Sequence, residues 1–373
     1  DWKFDETPML GKDTDRERLR QIGDEGVMAL IGDSTNAMVD GYTPSEAVAL
    51  QGLTDVIAEA EGLVAVTCFA SNVARLGSIM TAAAANNRSI CVVGRALYRT
   101  IGAARDTGYL ADIPDFVSES EASLIPRNHM VVICTGSQGE TRAAMAKIAA
   151  GTHGSVELQP GDTVIYSSRQ IPGNEPAITK VQDMLVRRGI HLITDEDRPV
   201  HVSGHPARDE LVEMYGLVRP QIAIPVHGTA RHLMAHAELA NDCQVKQTLI
   251  PDNGVAIRLK SSTADIIGYA PVGLLTPEGG EVVDLQSDHL RSRRRMLWNG
   301  TVTATVVLSA AGELLMAPLV SQTGLCPEHQ SADFIADAGL AVEDVICQQA
   351  ASSDNDEVIE EMVRRTVRQV AKG

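Results

Sequence analysis

Aromatic residues are scarce in this chain: two Trp, four Phe and six Tyr among 373 residues. The core must therefore be built from Ala, Val, Leu, Ile and Met. With 44% hydrophobic residues there are enough of these for a sizeable one. No apolar run approaches the ~18 residues that would suggest a membrane-crossing helix. The opening Asp1-Trp2-Lys3-Phe4-Asp5 has neither the basic nor the apolar stretch of a secretory signal. It also does not begin with Met, which points to a fragment or a trimmed chain. Paired cysteines are missing too. Cys68, Cys91, Cys134, Cys243, Cys326 and Cys347 stand singly, with no Cys-x-x-Cys. Reduced, mostly buried thiols in a cytoplasmic protein without a membrane partner are expected, and a zinc–cysteine site does not fit. Positive charge is short: Lys and Arg total 32 against 49 Asp and Glu, for a net charge of −17. That argues against a polyanion binder held by overall charge, but not against an enzyme whose positive charge is local. Bound divalent ions would supply part of such local charge.

What is present is a regular alternation. At roughly 100–200 residues per domain the length suggests two or three domains. Through the first 260 residues, short apolar runs alternate with helical patterns. The runs are 63–69, Ile90–Val93, Met130–Cys134 and Thr163–Tyr166; the helices are placed near 72–86, 95–107, 139–150 and 176–188. Thr43-Pro44-Ser45-Glu46 reads as a helix start, with Thr43 as N-cap, Pro44 at the first helical position and Glu46 completing a capping box. A second stretch of the same kind covers 190–260. Such βα alternation implies a parallel sheet with helices on its faces. Beyond Lys260 the composition changes. Residues 271–280, rich in Gly and Pro, read as a linker. The runs 301–308 and 313–320 flank Ala310-Ala311-Gly312 as a hairpin. The segment 354–372 reads as a helix with Val358, Ile359, Met362 and Val367 on its apolar side. This tail is expected to be a small α+β domain.

Four segments place polar groups directly after apolar runs, where parallel sheets bind their ligands. Asp33 ends the first, Met28–Gly32, and is followed by Ser34-Thr35-Asn36; a catalytic carboxylate and a simple turn or cap both fit. Gly136, Ser137 and Gln138 follow the run ending at Cys134. Small residues there let backbone N–H groups approach an anion, as would a plain tight turn; it is no Walker motif, since Gly-Lys-Ser/Thr does not follow. Ser167, Ser168 and Arg169 follow Tyr166 and suit either a phosphate contact or a helix start. Most informative is Val200-His201-Val202-Ser203-Gly204-His205, followed after a helix by Ile224-Pro225-Val226-His227-Gly228. Two strand–helix units each deliver a histidine, 22 residues apart, and imidazole serves as metal ligand or acid/base near neutral pH. The remaining histidines read as structural (His232, His236) or as solvated in loops (His129, His153, His289, His329).

Taken in order, Asp1-Trp2-Lys3-Phe4-Asp5-Glu6-Thr7-Pro8, Asp33-Ser34-Thr35-Asn36-Ala37, Phe69-Ala70-Ser71-Asn72, Thr135-Gly136-Ser137-Gln138-Gly139-Glu140, Ile171-Pro172-Gly173-Asn174-Glu175, Val202-Ser203-Gly204-His205 and Pro225-Val226-His227-Gly228 resemble the ribonuclease J family over nearly the whole chain. The resemblance implies an α/β fold: a metallo-β-lactamase αββα domain interrupted by a Rossmann-like β-CASP domain, plus a small α+β C-terminal domain. The expected boundaries are 1–45 and 181–262 for the two metallo-β-lactamase segments, 46–180 for β-CASP, 263–280 for a linker and 281–373 for the C-terminal domain. It further implies Asp1 as the carboxylate bridging two metals, His227 as a ligand to one of them, and Asp33 and His205 as catalytic residues. Phe69, Ser71, Asn72, Gly136, Ser137, Gln138, Ser167, Ser168, Arg169 and Ser203 would be substrate-binding. The family's His-x-His-x-Asp-His motif and a further His ligand are not in the chain and would lie upstream of Asp1. Thr229 stands where many members have an acidic residue, and Pro206-Ala207 replaces the more usual Ala-Ser.

The function so implied is metal-dependent hydrolysis of RNA phosphodiester bonds, 5′-to-3′ exonucleolytic, endonucleolytic or both, in RNA decay and maturation. The cofactor would be two divalent ions, zinc first, with manganese or magnesium as alternatives; two such ions generate a nucleophile and clamp the phosphate. The partners would be single-stranded, 5′-monophosphorylated RNA and further copies of the chain in a homodimer or homotetramer. One rival is a small-molecule hydrolase of metallo-β-lactamase fold, which would lack the α/β unit of ~130 residues between the two metallo-β-lactamase segments. Another is a noncatalytic RNA-binding paralog, in which loss of motif residues such as Asp33, His205 or His227 would be expected.

Overall fold

In the computed structural model, residues 1–111, 113, 115–349 and 356–372 are described. The chain divides into two units, Asp1–Ala270 and Pro271–Gly373. The first opens with α1 (Arg16–Glu25), β1 (Ala29–Asp33) and α2 (Glu46–Glu59). It continues through β2 (Val64–Thr67), α3 (Val73–Ala85), β3 (Ser89–Val93), α4 (Arg95–Asp106), the short α5 (Glu119–Ala122), β4 (Met130–Cys134) and α6 (Ala144–Ala149). Next come β5 (Thr163–Tyr166), α7 (Glu175–Arg187), β6 (His191–Ile193), α8 (Arg208–Val218), β7 (Ile222–Val226) and α9 (Ala230–Asp242). It closes with β8 (Gln247–Thr248), β9 (Val255–Leu259) and β10 (Ala264–Tyr269). The second unit holds β11 (Leu275–Glu278), β12 (Glu281–Asp284), α10 (Asp288–Asn299), β13 (Thr301–Thr305), β14 (Leu319–Thr323), α11 (Glu328–Gln349) and α12 (Asp356–Val370).

Two parallel sheets organise the first unit. Five strands pair in the order β3-β4-β2-β5-β6, and three in the order β1-β7-β8. Strand residues alternate between the faces of the larger sheet, as the period of 2 requires. Val64, Val66, Val92, Val131 and Ile133 pack under α2, α3 and α4, through side chains such as Leu53, Ile57, Leu76, Ile79 and Leu97. Ala65, Val93, Val132 and Val164 pack on the other face, under Met145 and Ile148 of α6 and Ile178 and Leu185 of α7. The near-continuous apolar runs of β2, β4 and β5 follow from this two-sided cover. Aliphatic residues fill it, as the scarcity of aromatics requires. Cys68, Cys91 and Cys134 lie buried and reduced in the same sheet, where burial pushes the Cys68 thiol up to about 12.

Several local expectations shift. Helix α2 is capped by Ser45, whose side chain accepts from Ala47 N–H, not by Thr43. Thr43 turns away: its N–H donates to Glu210 and its hydroxyl to the carbonyl of His205. Glu46 closes no capping box; it is drawn inward by Arg75. β6, expected with the return segment, pairs with β5 and so extends the five-stranded sheet. The span 263–280, expected as a linker, contains β10, paired with β9, and β11, paired with β12. Helices α1, α5, α10 and α11 lie outside the expected elements. The hairpin around Ser309–Glu313 forms with its ladder displaced outward, Thr301–Thr305 against Leu319–Thr323. His289 and His329 lie exposed on α10 and α11 and not in loops. Of the predicted terminal helix 354–372, residues 354 and 355 lie outside the described residues and α12 begins at Asp356.

The buried Arg75 binds the parts together. Fully covered on α3, it forms an ion pair with Glu46 at the start of α2, 2.9 Å away. It also donates to the Ser167 hydroxyl after β5, to Nδ1 of His201 and to the carbonyls of Val200 and Val202. Removing one partner of such a pair leaves the other charge buried and unanswered, which costs about 3–5 kcal/mol. Arg75→Ala is accordingly expected to lower unfolding free energy by about that amount in guanidinium denaturation, and Arg75→Lys to recover only part, since an ammonium cannot span these acceptors. Wild-type stability in the alanine variant would exclude this role.

Candidate active site

Strands β1 and β7 are parallel neighbours in a register that sets Asp33 opposite Val226. Their C-terminal ends therefore deliver Asp33 and His227 side by side. His227 adopts a left-handed backbone (φ 57°), uncommon for a residue with a side chain, and Thr35 holds it there by donating its hydroxyl to the His227 carbonyl. Residues 203–205 arrive before α8. Asn36 Nδ2 donates to the Ser203 hydroxyl and to the carbonyl of His205, and the Thr43 hydroxyl donates to that same carbonyl. The N-terminal segment is fixed by Glu210, buried on α8. Its carboxylate accepts from the N–H groups of Phe4, Thr43 and Ala207, at 2.7, 2.8 and 2.8 Å. Trp2 packs on Ala37, Leu211 and Leu239, so Asp1 comes to the same place.

The outcome is a cluster of Asp1, Asp33, His205 and His227 with one donor atom from each within 4.8 Å of the others. His205 Nδ1 lies 2.6 Å from Asp33 Oδ2. His227 Nδ1 lies 3.2 Å from Asp1 and 3.3 Å from Asp33 Oδ1, and the two imidazole centroids are 5.2 Å apart. Burial alone would raise the Asp33 pKa. The hydrogen bonds from His205 and Thr35 outweigh it and hold the carboxyl well below the usual range, so Asp33 is ionised at neutral pH. A carboxylate only accepts, so His205 donates through Nδ1 and presents Nε2 to whatever lies beyond. Two carboxylates drawn together beside two imidazoles form an oxygen and nitrogen donor set without thiolate, which suits a divalent ion of the zinc or manganese kind.

The other sequence-predicted residues fall into two groups. Asn72 caps α3, accepting from Arg75 N–H; Ser167 is closed between Arg75 and the Val200 carbonyl. Gln138 holds Ile171 N–H, Asn174 and the Arg169 carbonyl. These three side chains are committed to the protein itself. Phe69, Gly136 and Ser137 line a cleft at the ends of β2 and β4. Gly136 is required there: its φ is +120°, and a Cβ would meet that of Met145 at 2.8 Å. Ser71 is exposed, Ser168 is buried with no partner for its hydroxyl among the described residues, and Arg169 donates to Asn36 Oδ1. Ser203 accepts from Asn36 and from His205 N–H. The sequence pattern gave Glu46 only a capping role and did not single out Arg75 or Glu210, whose local signal is no more than a charge on a helix. His236, read as structural, is buried between the Ser34 hydroxyl and Tyr215 OH, 2.8 and 2.9 Å away.

The description "Ribonuclease J, beta-CASP domain" matches residues 61–185, "Zn-dependent metallo-hydrolase RNA specificity domain" residues 198–251, and "Ribonuclease J C-terminal domain" residues 289–373. The class is therefore the metallo-β-lactamase/β-CASP α/β fold. Ribonuclease J of Sinorhizobium meliloti is 42% identical, over 99% of this chain and 66% of that protein. Ribonuclease J of Mycolicibacterium smegmatis is 40% identical, over 83% and 56%. Ribonuclease J2 of Bacillus subtilis is 33% identical, over 95% and 64%. The chain belongs to the ribonuclease J family, and it spans between 56% and 66% of the length of these relatives. None of the helices among the described residues is long and apolar enough to cross a membrane.

Burial holds His201 near pKa 3 and His236 near 4, with the Arg75 and Arg169 charges adding to the effect at His201. Both lie below the ordinary histidine value of ~6.5, so the unfolded chain binds these protons more readily. Their contribution to stability is complete above pH ~6.5 and is lost as pH falls toward the folded values, at up to ~1.4 kcal/mol per pH unit for each. Guanidinium unfolding between pH 7 and ~4 should show this decline, with a shallower slope in His236→Gln. Equal slopes would mean that His236 titrates normally in the fold.

Proposed function

We propose that this chain carries part of the reaction centre of a metal-dependent ribonuclease that hydrolyses RNA phosphodiester bonds. The observation that carries the reading is the convergence of Asp1, Asp33, His205 and His227, far apart in sequence, on the ends of β1 and β7. Membership of a family whose relatives are named ribonucleases supports it.

In this reading Asp1 would hold two divalent ions as carboxylate ligand and His227 one of them as imidazole ligand, zinc in the first place and manganese or magnesium as the alternatives. Bound there, such ions neutralise phosphoryl oxygens and make water a competent nucleophile at neutral pH. Asp33 fixes the tautomer and direction of His205 through the 2.6 Å contact and stabilises its imidazolium. His205 Nε2 then contacts the scissile phosphate or passes its proton to the leaving oxygen. Ser203, Ser168 and Arg169 stand on the segments next to His205 and present the hydroxyls and guanidinium that suit phosphate oxygens. Phe69, Ser71, Gly136 and Ser137 extend that surface along the larger sheet, while Asn72, Gln138 and Ser167 support it from within. The substrate is single-stranded RNA, 5′-monophosphorylated, cut from its 5′ end or internally, by a cytoplasmic enzyme that works as a homodimer or homotetramer. Residues 1–45 with the return segment after β6, up to 262, form the metal-binding part, 46–193, with α7 and β6 on the larger sheet, the cap, and 281–373 the C-terminal domain.

His205→Ala and His227→Ala separate the roles. In the protein that includes this chain, His205→Ala should slow decay of 5′-monophosphorylated RNA by roughly 10²–10⁴-fold with metal content retained. His227→Ala should lose metal as well, by elemental analysis. Metal loss in His205→Ala with retention in His227→Ala would reverse the assignment, and undiminished RNA decay in both would reject the ribonuclease reading at this site.

A further inference from the structure

In the unit Pro271–Gly373, positive charge is gathered in one place. Arg291, Arg293, Arg294 and Arg295 all stand on α10, and no other Lys or Arg occurs between Pro271 and Val363. The helix is anchored at several points. Leu290 is buried, Arg294 donates to the Leu285 carbonyl at 3.0 Å, and Arg293 pairs with Glu278 of β11 at 2.7 Å. At its end Gly300 has φ +66°, and a Cβ there would meet the Gly324 backbone at 2.4 Å, so glycine alone lets the helix close onto the turn after β14. Beyond Leu290, every residue from Arg291 to Asn299 is nonetheless exposed.

At about 3.6 residues per turn, positions i, i+3, i+4 and i+7 fall on one side of a helix. Arg291, Arg294, Arg295 and Trp298 have that spacing, so three guanidinium groups and an indole share one stripe, ~10 Å long at 1.5 Å per residue. Arg295 has no hydrogen bond or ion pair with any described residue. Arg291 meets only Asp288, at 3.5 Å across one exposed turn. Elsewhere in this acidic chain, arginines such as Arg75, Arg127 and Arg198 are answered closely by carboxylates. Trp298 is 83% exposed, more than any other large apolar side chain among the described residues, and tryptophan is seldom left so bare. Met296 and Leu297 fall on other sides of the helix, so no continuous apolar face accompanies the indole.

Resting on the RNA reading above, we propose that this stripe of α10 is a docking surface for single-stranded RNA, with Arg291 and Arg295 on backbone phosphates and the Trp298 ring against a base. None of the substrate-binding residues named above lies in this unit. A stripe this positive in an otherwise acidic stretch calls for an anion. Guanidinium forks match phosphate oxygens, and a bare ring beside them adds the stacking by which sequence-tolerant single-strand sites work. An acidic peptide would answer the arginines but offer the indole no flat partner. A bilayer surface would need the apolar face that α10 lacks.

Trp298 itself reports on the test. The chain holds two tryptophans, Trp2 and Trp298, so Trp2→Phe leaves a single emitter. With the whole chain in a chelator, so that no strand is cut, added oligouridylate should quench that emission. Anisotropy of the labelled oligouridylate across a salt series then reads the arginines. Arg291→Ala/Arg295→Ala should bind about tenfold more weakly, with the slope of log K against log salt reduced by ~1.4, since each single-strand phosphate contact contributes ~0.7. Arg294 stays in place, so its bond to the Leu285 carbonyl still holds the helix. Trp298→Leu should weaken binding about tenfold with the slope unchanged. Arg20→Ala, which removes a surface arginine paired with Glu17, should change neither. Wild-type RNA binding without quenching, with affinity and slope unaltered in the double variant, would overturn the α10 assignment and leave the RNA reading standing. Absence of RNA binding by the wild type would overturn both. A change of Trp298 emission with polyglutamate or with phosphatidylserine vesicles, and none with RNA, would give the stripe to an acidic protein or a membrane and overturn its place on the strand.

Discussion

A guanidinium with no access to water must be answered entirely by protein, and Arg75 is in that position. Its partners come from three places in the chain: Glu46 at the start of α2, Ser167 beyond β5, and the His201 ring with the backbone of residues 200–202. No local rearrangement satisfies them separately. The Arg75 contacts can be complete only when the segment leading to His205 is docked against the larger sheet, so the ion pair couples the sheet to the placement of that segment. Buried pairs of this kind add little net stability compared with an apolar replacement, but they penalise every arrangement in which one partner is missing. What Arg75 contributes is selection of one docking over others.

Glu210 performs the corresponding task beside the cluster of Asp1, Asp33, His205 and His227. Three backbone N–H groups converge on one carboxylate, from the N-terminal segment, from the loop before α2 and from the first turn of α8. Each belongs to a stretch that carries or touches a residue of the cluster: Phe4 follows Asp1, Ala207 follows His205, and Thr43 donates its hydroxyl to the His205 carbonyl. The cluster itself is electrostatically demanding. Asp33 and Asp1 both lie within reach of His227, and like charges so close are tolerated only beside cations. Imidazolium or a bound divalent ion meets that demand, and the left-handed backbone at His227 and the inward turn of Asp33 are local costs borne by the surrounding framework. Rigid support of this kind lets donor atoms meet within a few ångströms without a ligand to gather them.

The element types were largely legible from one dimension. β4 and β5 occupy the predicted residues, because a two-sided apolar run is decided by immediate neighbours. The motif histidines and Asp33 stood out for a similar reason: polar groups at the ends of apolar runs are visible without knowing the fold. What was not legible depended on distance. Thr43 looks like an N-cap in isolation, but Glu210 and the His205 carbonyl compete for its N–H and hydroxyl, and the cap passes to Ser45. The span 271–280 looks like a linker because Gly and Pro dominate it, yet strand pairing with residues just beyond makes it one arm of a hairpin. His191–Ile193 is too short to declare its sheet, and only pairing with β5 does so.

By itself, then, the sequence determined the α/β character, the order of the motifs and the resemblance to ribonuclease J, since periodicity and short spaced patterns are local properties of the chain. The resemblance implied a common site for Asp1, Asp33, His205 and His227; the tertiary structure brings their donor atoms within 4.8 Å, and it alone decided that Arg75 and Glu210 are buried hubs and not surface charges, and that Ser167 faces inward. The physical reason is that a charge or hydroxyl acquires its meaning from whatever it faces once water is gone. In this chain those partners lie up to 206 residues away along the backbone.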